Sequence, residues 1–472
     1  MMEEKSKPLL KNLVILTISN FASKILVFLL VPLYTNILST TEYGIYDLVI
    51  STISLSGPIL SLNIVDAVMR FMMDKNYDKN EVATIGIKYI SYSLVTVALF
   101  LVVLNYLDIW QEIRGLEFYI FLYYLFYILN QYLIQLAKGL EKIVYMGIAG
   151  VIGTITMIAT NVLFLLVFKW GLTGFFIANI LSQSIPVLYF FIKLKYWTLI
   201  SSFKTDKKIA REMLVYCIPL IASVAGWWVN SGSDKYVVTF FCGVATNGVL
   251  STAYKIPSIL NTLQGIFIQA WQISAIKEYG EDDAATFYGN TFSVVNMLMC
   301  AACSWLVILT RPLAHLLYSK DFYVAWKFVP FLLISSVLNC ASGFMGPVLS
   351  AKKDSKSMAI SAVYGAVVNL VLNIVFVYLI GAQGIAIATV IASFIIYQVR
   401  KNTVGNGINI EKYRIIIITW IFLCLQAVVE VYTSLWGIEI IIMVVMMIIN
   451  LEQIKKVIFM ISRLIKREKN II

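Results

Sequence analysis

Leu13–Leu38 reads LVILTISNFASKILVFLLVPLYTNIL, an apolar run broken by a single charge, Lys24. A hydrocarbon core about 30 Å thick needs roughly 20 residues of helix, so this run is long enough to span and keeps Lys24 away from either end. An ionisable side chain at that depth costs about 2.5–3.5 kcal/mol, and it faces a polar cavity, a partner or a ligand rather than lipid. Asp66, Arg70, Asp234, Lys235 and Lys255 stand in or at the ends of comparable runs. The pattern points to a membrane protein with a water-filled, largely cationic interior.

Composition supports this class. Of 472 residues, 60% are hydrophobic and 13% charged, too few polar side chains to cover a soluble protein of this size. Apolar runs separated by polar breaks predict about fourteen spans, over residues 12–38, 43–66, 84–105, 117–137, 144–168, 172–192, 212–233, 247–276, 287–310, 327–350, 358–379, 383–399, 413–430 and 435–450. Met1–Lys11 is mixed in charge and no small-residue cleavage site follows the first run, so an uncleaved first span is expected. The six cysteines are scattered through apolar runs, and Cys300 and Cys303, one helical turn apart, are read as packing. A lone histidine, His315, argues against histidine metal sites.

Basic residues fix the expected direction. Alternate loops counted from the N-terminus, with both ends, hold 29 Lys and Arg, the other loops hold 6, and Lys24 and Lys255 lie within spans. Positive residues stay on the cytoplasmic side, so both termini are expected there. The net charge of +11 is thereby assigned to anionic lipid headgroups rather than to nucleic acid, with Leu451–Lys469 a candidate surface helix.

The chain also repeats itself. Trp170-Gly171-Leu172-Thr173-Gly174, with Ala178 beyond, recurs 210 residues later as Ile380-Gly381-Ala382-Gln383-Gly384 with Ala388. Ala137-Lys138 and Ala351-Lys352 precede equivalent spans, and Asn161 and Asn369 lie at similar depth in them. The fold class that follows is all-α integral membrane: two six-helix lobes, 1–195 and 212–400, in a parallel pseudo-repeat, then two extra helices and a basic tail, 411–472. Lobes repeated about an axis along the membrane normal occur in alternating-access transporters.

Polar residues recur at helical spacing on the first two spans of each lobe. Thr17, Asn20 and Lys24 share a face; so do Asn63, Asp66 and Arg70; so do Ser223, Gly226, Asn230 and Asp234; and so do Thr252, Lys255, Ser258, Thr262, Gly265 and Gln269. These faces are expected to line one cavity. The competing structural reading gives the hydroxyls and amides to helix–helix hydrogen bonds, pairs Asp66 with Arg70, and makes Asp234 and Lys235 a cap on the outer end of the seventh span. Pro32, Pro58, Pro219 and Pro257 mark expected kinks.

The residues Asn20-Phe21-Ala22-Ser23-Lys24 through Pro32-Leu33-Tyr34-Thr35-Asn36-Ile37-Leu38, then Glu42-Tyr43-Gly44-Ile45-Tyr46, Ala67-Val68-Met69-Arg70-Phe71, Asp234-Lys235-Tyr236, and Gly248 with Ala253-Tyr254-Lys255, carry a family resemblance over essentially the whole chain. It resembles the Wzx-type flippases of lipid-linked oligosaccharides, the polysaccharide branch of the multidrug/oligosaccharidyl-lipid/polysaccharide exporter superfamily. The resemblance implies transfer of an undecaprenyl-diphosphate-linked sugar repeat from the inner to the outer leaflet of the cytoplasmic membrane, for surface polysaccharide of the capsule or O-antigen type. It implies a V-shaped cavity with basic residues for the diphosphate, which Lys24, Arg70, Lys235 and Lys255 match by type and place. The polar lining is expected from Asn20, Asn63, Asn230, Thr252 and Gln269. Asp234 beside Lys235 departs from a purely cationic site, so Asp66 and Asp234 are candidates for coupling to protons or sodium, or for charge pairing. No other cofactor is expected. Partners implied are the lipid-linked oligosaccharide, membrane lipids, and a glycan polymerase and glycosyltransferases.

The alternative is a cation-coupled drug or metabolite exporter of the same superfamily, whose cationic cargo would want carboxylates where this chain has more Lys and Arg. An enzyme reading, a membrane polymerase or ligase, calls for a sizeable external loop; Asn105–Glu117 and Arg311–Trp326 are short, with Arg311 and His315 the one pair to test. Buried charge in repeated lobes argues against a pure scaffold. The topology has a direct check. On a cysteine-free background, a cysteine at position 108 is expected to react with an impermeant thiol reagent added outside intact cells, and one at position 204 is not; the reverse result overturns the orientation.

Overall fold

The computed structural model describes residues 28–108, 110–200, 205–352, 354–433 and 435–459. Asn20 and Lys24 lie outside these residues. Among the described residues every regular element is helical, and eleven helices are long and apolar enough to cross a membrane, twelve if the bent pair Trp436–Ile449 and Leu451–Phe459 is one span. The chain is an all-helical, multi-pass membrane protein. It falls into two compact units divided between Trp228 and Val229.

The first unit contains α1 (Val31–Ile37), α2 (Thr40–Leu60), α3 (Ile64–Met72), α4 (Lys79–Tyr106), α5 (Glu117–Gly139), α6 (Ile143–Asn161) and α7 (Gly171–Lys193). Ser39 and Glu42 start α2 with a reciprocal cap: the Ser39 hydroxyl accepts from the Glu42 amide at 3.2 Å and the Glu42 carboxylate accepts from the Ser39 amide at 2.8 Å. Such a box satisfies two helix-end donors that lipid cannot. On α4, Tyr92, Val95, Leu99, Val102 and Tyr106 are exposed at helical spacing, a lipid-facing stripe. The inward side is held by aromatics. Tyr34 stacks on Tyr43 with ring centres 4.9 Å apart, Tyr46 lies 4.4 Å from Phe175, and the Tyr46 hydroxyl donates to Asn179 Oδ1 at 2.8 Å.

Helix α8 (Lys207–Cys242) begins in the first unit and ends in the second, which continues with α9 (Val244–Ala253), α10 (Pro257–Lys277), α11 (Ala284–Ile308), α12 (Thr310–Leu317), α13 (Val329–Ala351), α14 (Ser355–Ile380), α15 (Gln383–Val404), α16 (Tyr413–Tyr432) and α17 (Trp436–Ile449). Helix α13 is buried along almost its whole length and packs against α10, α11, α15 and α16. Its sequence, apolar all round with Ser335, Ser336, Ala341, Ser342 and Gly343 interspersed, lets neighbours approach closely. Trp271 of α10 stacks on Phe344 of α13 at 4.2 Å and donates its indole N–H to the Phe344 carbonyl at 2.9 Å. Helix α16 is fastened by polar pairs at intervals of about one to two turns. Trp420 donates to Asn296 at 3.0 Å, Ser304 donates to Gln426 at 2.8 Å, and Arg311 meets Glu430 at 3.2 Å.

Most expected spans coincide with single helices, and the departures have local causes. The second span is broken: α2 ends at Leu60, and Leu62 and Asn63 take left-handed φ of 54° and 52°. Pro58, inside the last turn of α2, has no N–H to continue the ladder. The eighth span is interrupted at residues 254–256, and Pro257 opens α10 where its missing N–H costs nothing. The seventh was expected to stop at residue 233 but runs on to Cys242.

The repeated Gly-x-x-Gly has one structural reading in both units. Gly171 and Gly381 take φ of 55° and 69° at the entries to α7 and α15, where a side chain would be strained. Three residues on, a Cβ on Gly174 would sit 3.1 Å from the Phe164 Cβ, and one on Gly384 would overlap the Phe376 backbone. The second glycine of each pair lets one helix close on its predecessor. Gly384→Ala is therefore expected to cost about 1–3 kcal/mol through overpacking, seen as a lower thermal midpoint in detergent. Gly265→Ala, which meets open space on α10, is expected to hold or raise that midpoint by helix propensity.

Candidate functional site

In the first unit the break after α2 positions the charges. The left-handed Asn63 turns the chain into α3 and donates its side-chain amide to Asp66 Oδ2 at 2.9 Å. Gln135 of α5 donates to Asp66 Oδ1 at 3.0 Å. The Asp66–Arg70 pair of the competing reading is absent: Arg70, its side chain 54% exposed, lies 3.7 Å from Asp74 instead. The reason is that two neutral donors already satisfy both Asp66 oxygens, which leaves Arg70, in the last turn of α3, to the next carboxylate along the helix. A cation at a helix C-terminus is also favoured by the dipole.

In the second unit Asp234 is the centre. It is 3% exposed and lies eight residues short of Cys242, the end of α8, or about 12 Å along the axis. It is no cap, as the competing reading had it. Tyr254 donates to Oδ2 at 2.7 Å, Asn373 donates to Oδ1 at 2.6 Å, and Thr389 lies 3.4 Å from Oδ2. Asn373 also donates to Asn369 Oδ1 at 3.0 Å, while its own Oδ1 is buried with no hydrogen-bond partner. Four elements thus bring a carboxylate, two amide oxygens and two hydroxyls to one place. This set of hard oxygen donors suits a proton or an alkali or alkaline-earth cation, not a thiophilic metal.

Helix α10 carries the second feature. Lys255, part-buried, sits in the interruption before it, and Ser258, Asn261, Gly265, Gln269 and Gln272 follow on one face, all exposed. Asn261, Gln269 and Gln272 make no side-chain hydrogen bond within the described residues. A continuous polar face on a helix of 21 residues is wrong for lipid and right for water or a polar ligand.

Of the expected site residues, Lys255 and Gln269 share this face. Thr252 does not: it is buried and its hydroxyl bonds the Gly248 carbonyl at 2.8 Å, the default use of threonine in a packed membrane helix. Asn63 and Asp66 come together, and Asp234 forms its own node. Lys235 is part-buried beside it. The Asn230 side chain lies outside the described residues. Arg311 and His315 are held apart by different partners, Arg311 by Glu430 and His315 by the Tyr323 hydroxyl at 2.8 Å. Sequence reading did not pick out Tyr254, Asn373, Thr389 or Gln135 as site residues. Asn369 and Asn373, i and i+4 in an otherwise apolar run, were the visible signal.

This fold, with charged side chains held inside each unit, is that of multi-pass membrane proteins. Solved structures show the same fold. A lipid II flippase, MurJ, in an inward closed conformation aligns over 94% of this chain and 100% of its own, with a TM-score of 0.72 and 16% identity. An inward-facing multidrug resistance MATE family transporter of the MOP superfamily aligns over 89% and 96%, with a TM-score of 0.64 and 16% identity. A MOP superfamily transporter from Pyrococcus furiosus, described by the reverse polarity of its binding pocket, aligns over 90% and 97%, with a TM-score of 0.54 and 14% identity. Residues 9–272 match the polysaccharide biosynthesis protein family, and the chain belongs to that family. A relative from Haloferax volcanii, the probable low-salt glycan biosynthesis flippase Agl15, is 22% identical over 194 residues, 40% of this chain and 41% of the relative; the match spans about two-fifths of that protein's length.

The node around Asp234 yields a stability prediction. Asn373→Leu removes a donor to a buried carboxylate, which is expected to cost about 1.5–3 kcal/mol. Thermal unfolding of the purified protein measures it; a midpoint unchanged from wild type would mean that the amide contributes nothing to holding Asp234.

Proposed function

We propose that this chain is a flippase that carries undecaprenyl-diphosphate-linked oligosaccharide units from the inner to the outer leaflet of the cytoplasmic membrane, for surface polysaccharide of the capsule or O-antigen type. Family membership supports the glycan setting, and the fold shared with a lipid II flippase supports a lipid-linked cargo. The observation that carries the reading is the polar face of α10 that begins at Lys255. A diphosphate drawn into a membrane needs a fixed cation, because charge-assisted hydrogen bonds are the strong ones. Sugar hydroxyls need amides that both donate and accept, which Asn261, Gln269 and Gln272 offer. The polyprenyl tail stays in the bilayer while the head group crosses. Lys24, Arg70 and Lys235 join Lys255 as cations for the diphosphate, and Asn20 and Asn230 extend the polar lining.

The transport cycle is alternating access of the two repeated lobes, with both termini in the cytoplasm and the glycosyltransferases and glycan polymerase as working partners. Coupling is to sodium or protons at Asp234. Its surroundings, two hydroxyls and two amide oxygens from three other elements, favour it over Asp66, which gathers only two amide side chains.

The double variant Lys24→Gln with Lys255→Gln separates this reading from export of cationic drugs. With protein levels matched in vesicles, flipping of a labelled lipid-diphosphate sugar is expected to fall at least tenfold, beyond either single variant. Uptake of a cationic dye is expected to stay at background. If dye transport improves through relief of like-charge repulsion while lipid flipping is unchanged, the flippase reading is rejected.

A further inference from the structure

Glu430 and Glu439 are the two glutamates that are fully buried among the described residues, both at 0% exposure. Glu430 is in the last turn of α16 and Glu439 in the first turn of α17, so the short connection between these helices brings their carboxyl groups within hydrogen-bonding reach of one another. Arg311, at the start of α12, places Nε 3.2 Å from Glu430 Oε1 and donates through Nη2 to the Glu430 carbonyl at 2.7 Å. Its guanidinium lies 4.2 Å over the Trp326 ring, which fixes its direction.

The charges do not balance. Two carboxylates face one guanidinium, and two buried like charges at contact distance cannot both ionise. Among the described residues nothing else corrects this. Helices α11 and α13, which pack beside α16, carry no charged residue. On α12, His315 is exposed and bonded to Tyr323. Lys320, Asp321 and Lys327 of the neighbouring turn are exposed to solvent, as is Tyr432. The thiols of Cys303 and Cys424 lie about two turns deeper in their helices. Apart from the Arg311 Nε contact to Glu430 Oε1, no oxygen of the pair meets a hydrogen-bond donor among the described residues. One proton between them supplies a donor and cancels the surplus charge.

We propose that Glu430 and Glu439 form a proton-binding site in which one proton, carried on Glu430, is shared with Glu439, and that the singly charged pair closes on Arg311 to latch α16 and α17 to α12. The helix ends choose which group holds it. Glu430 stands at the negative end of α16 and Glu439 at the positive end of α17, so the residual charge belongs on Glu439. Protonated Glu430 then gives its O–H to Glu439 and its carbonyl oxygen to Arg311. This site is separate from the Asp234 node and does not depend on the transported substrate.

Infrared spectroscopy of the full-length protein in detergent, with glutamate selectively ¹³C-labelled, tests the proposal on the wild type itself. A protonated-carboxyl C=O band that shifts with the label is expected to persist at neutral pH, where exposed glutamates are ionised. The band is expected to vanish in Glu430→Gln, and in Glu439→Gln, where the remaining carboxyl ionises against Arg311. The amide of Glu430→Gln reproduces the donor and acceptor of the protonated acid, so that variant is expected to keep the wild-type thermal midpoint near neutral pH.

The sign with pH follows from linkage. The folded pair holds a proton that unfolded glutamate, with its pKa of about 4.3, has released. Wild-type stability is therefore expected to fall as pH rises above that value, by up to tenfold in the folding equilibrium per pH unit while the proton stays bound. Glu430→Gln is expected to flatten that slope. Absence of a label-sensitive protonated-carboxyl band in the wild type at neutral pH overturns the proposal. So does a thermal midpoint that responds to sodium at fixed pH and not to pH, which would assign the site to a metal cation.

Discussion

Hydrocarbon offers no hydrogen-bond partner, so each polar atom inside a membrane protein must find one in its own chain or in water. Most of the internal organisation described above follows from that constraint. Asp234 is tolerable at 3% exposure because Tyr254, Asn373 and Thr389 reach it from three other elements. Asp66 is tolerable because Asn63 and Gln135 take one oxygen each. Helix α16 turns the same requirement into adhesion, since its polar residues face those of α11 and α12 at matching heights. Such contacts are worth only about 0.6–2 kcal/mol each in a membrane. Their number and spacing fix register where apolar packing alone would leave the helices free to slide.

The same rule explains why the two broken spans sit where they do. Interrupted helices expose backbone groups, and these are affordable only next to polar side chains or water. Both breaks occur beside charged residues: Asp66 follows the first, and Lys255 lies within the second. Proline initiates each in a different way. Pro58 weakens the end of α2 from inside, whereas Pro257 opens a new helix. Charge and irregular backbone therefore occur together, and in both cases on the second span counted from the start of a repeat.

Span number and class were legible because a run of twenty apolar residues has few other readings, and α4 through α7, α11 and α13 through α17 lie close to their expected limits. The Gly-x-x-Gly repeat was legible as a pattern, but its reason, a helix closing on Phe164 or Phe376, needed the fold. What the sequence hid was partnership. Asp234 looked like a helix end because it adjoins Lys235 and a polar stretch, yet its ligands come from residues 20, 139 and 155 positions away. The competing reading made Arg70 the partner of Asp66 because i,i+4 pairs are the local default, but a glutamine from α5 takes that place. Glu430 and Glu439 passed unnoticed, since each by itself reads as the polar end of a span.

Asn179 and Thr389 stand 210 residues apart, the interval of the repeat, and they serve opposite neighbourhoods. Asn179 accepts from Tyr46 inside a cluster of aromatic rings, and Thr389 stands beside a buried carboxylate. Positions at the same interval therefore do different work in the two units. Each position answers to its own neighbours, a tyrosine hydroxyl in one unit and a carboxylate in the other. A side chain moved from one of these positions to the other would meet the wrong partner, so the two units are not interchangeable at this interval.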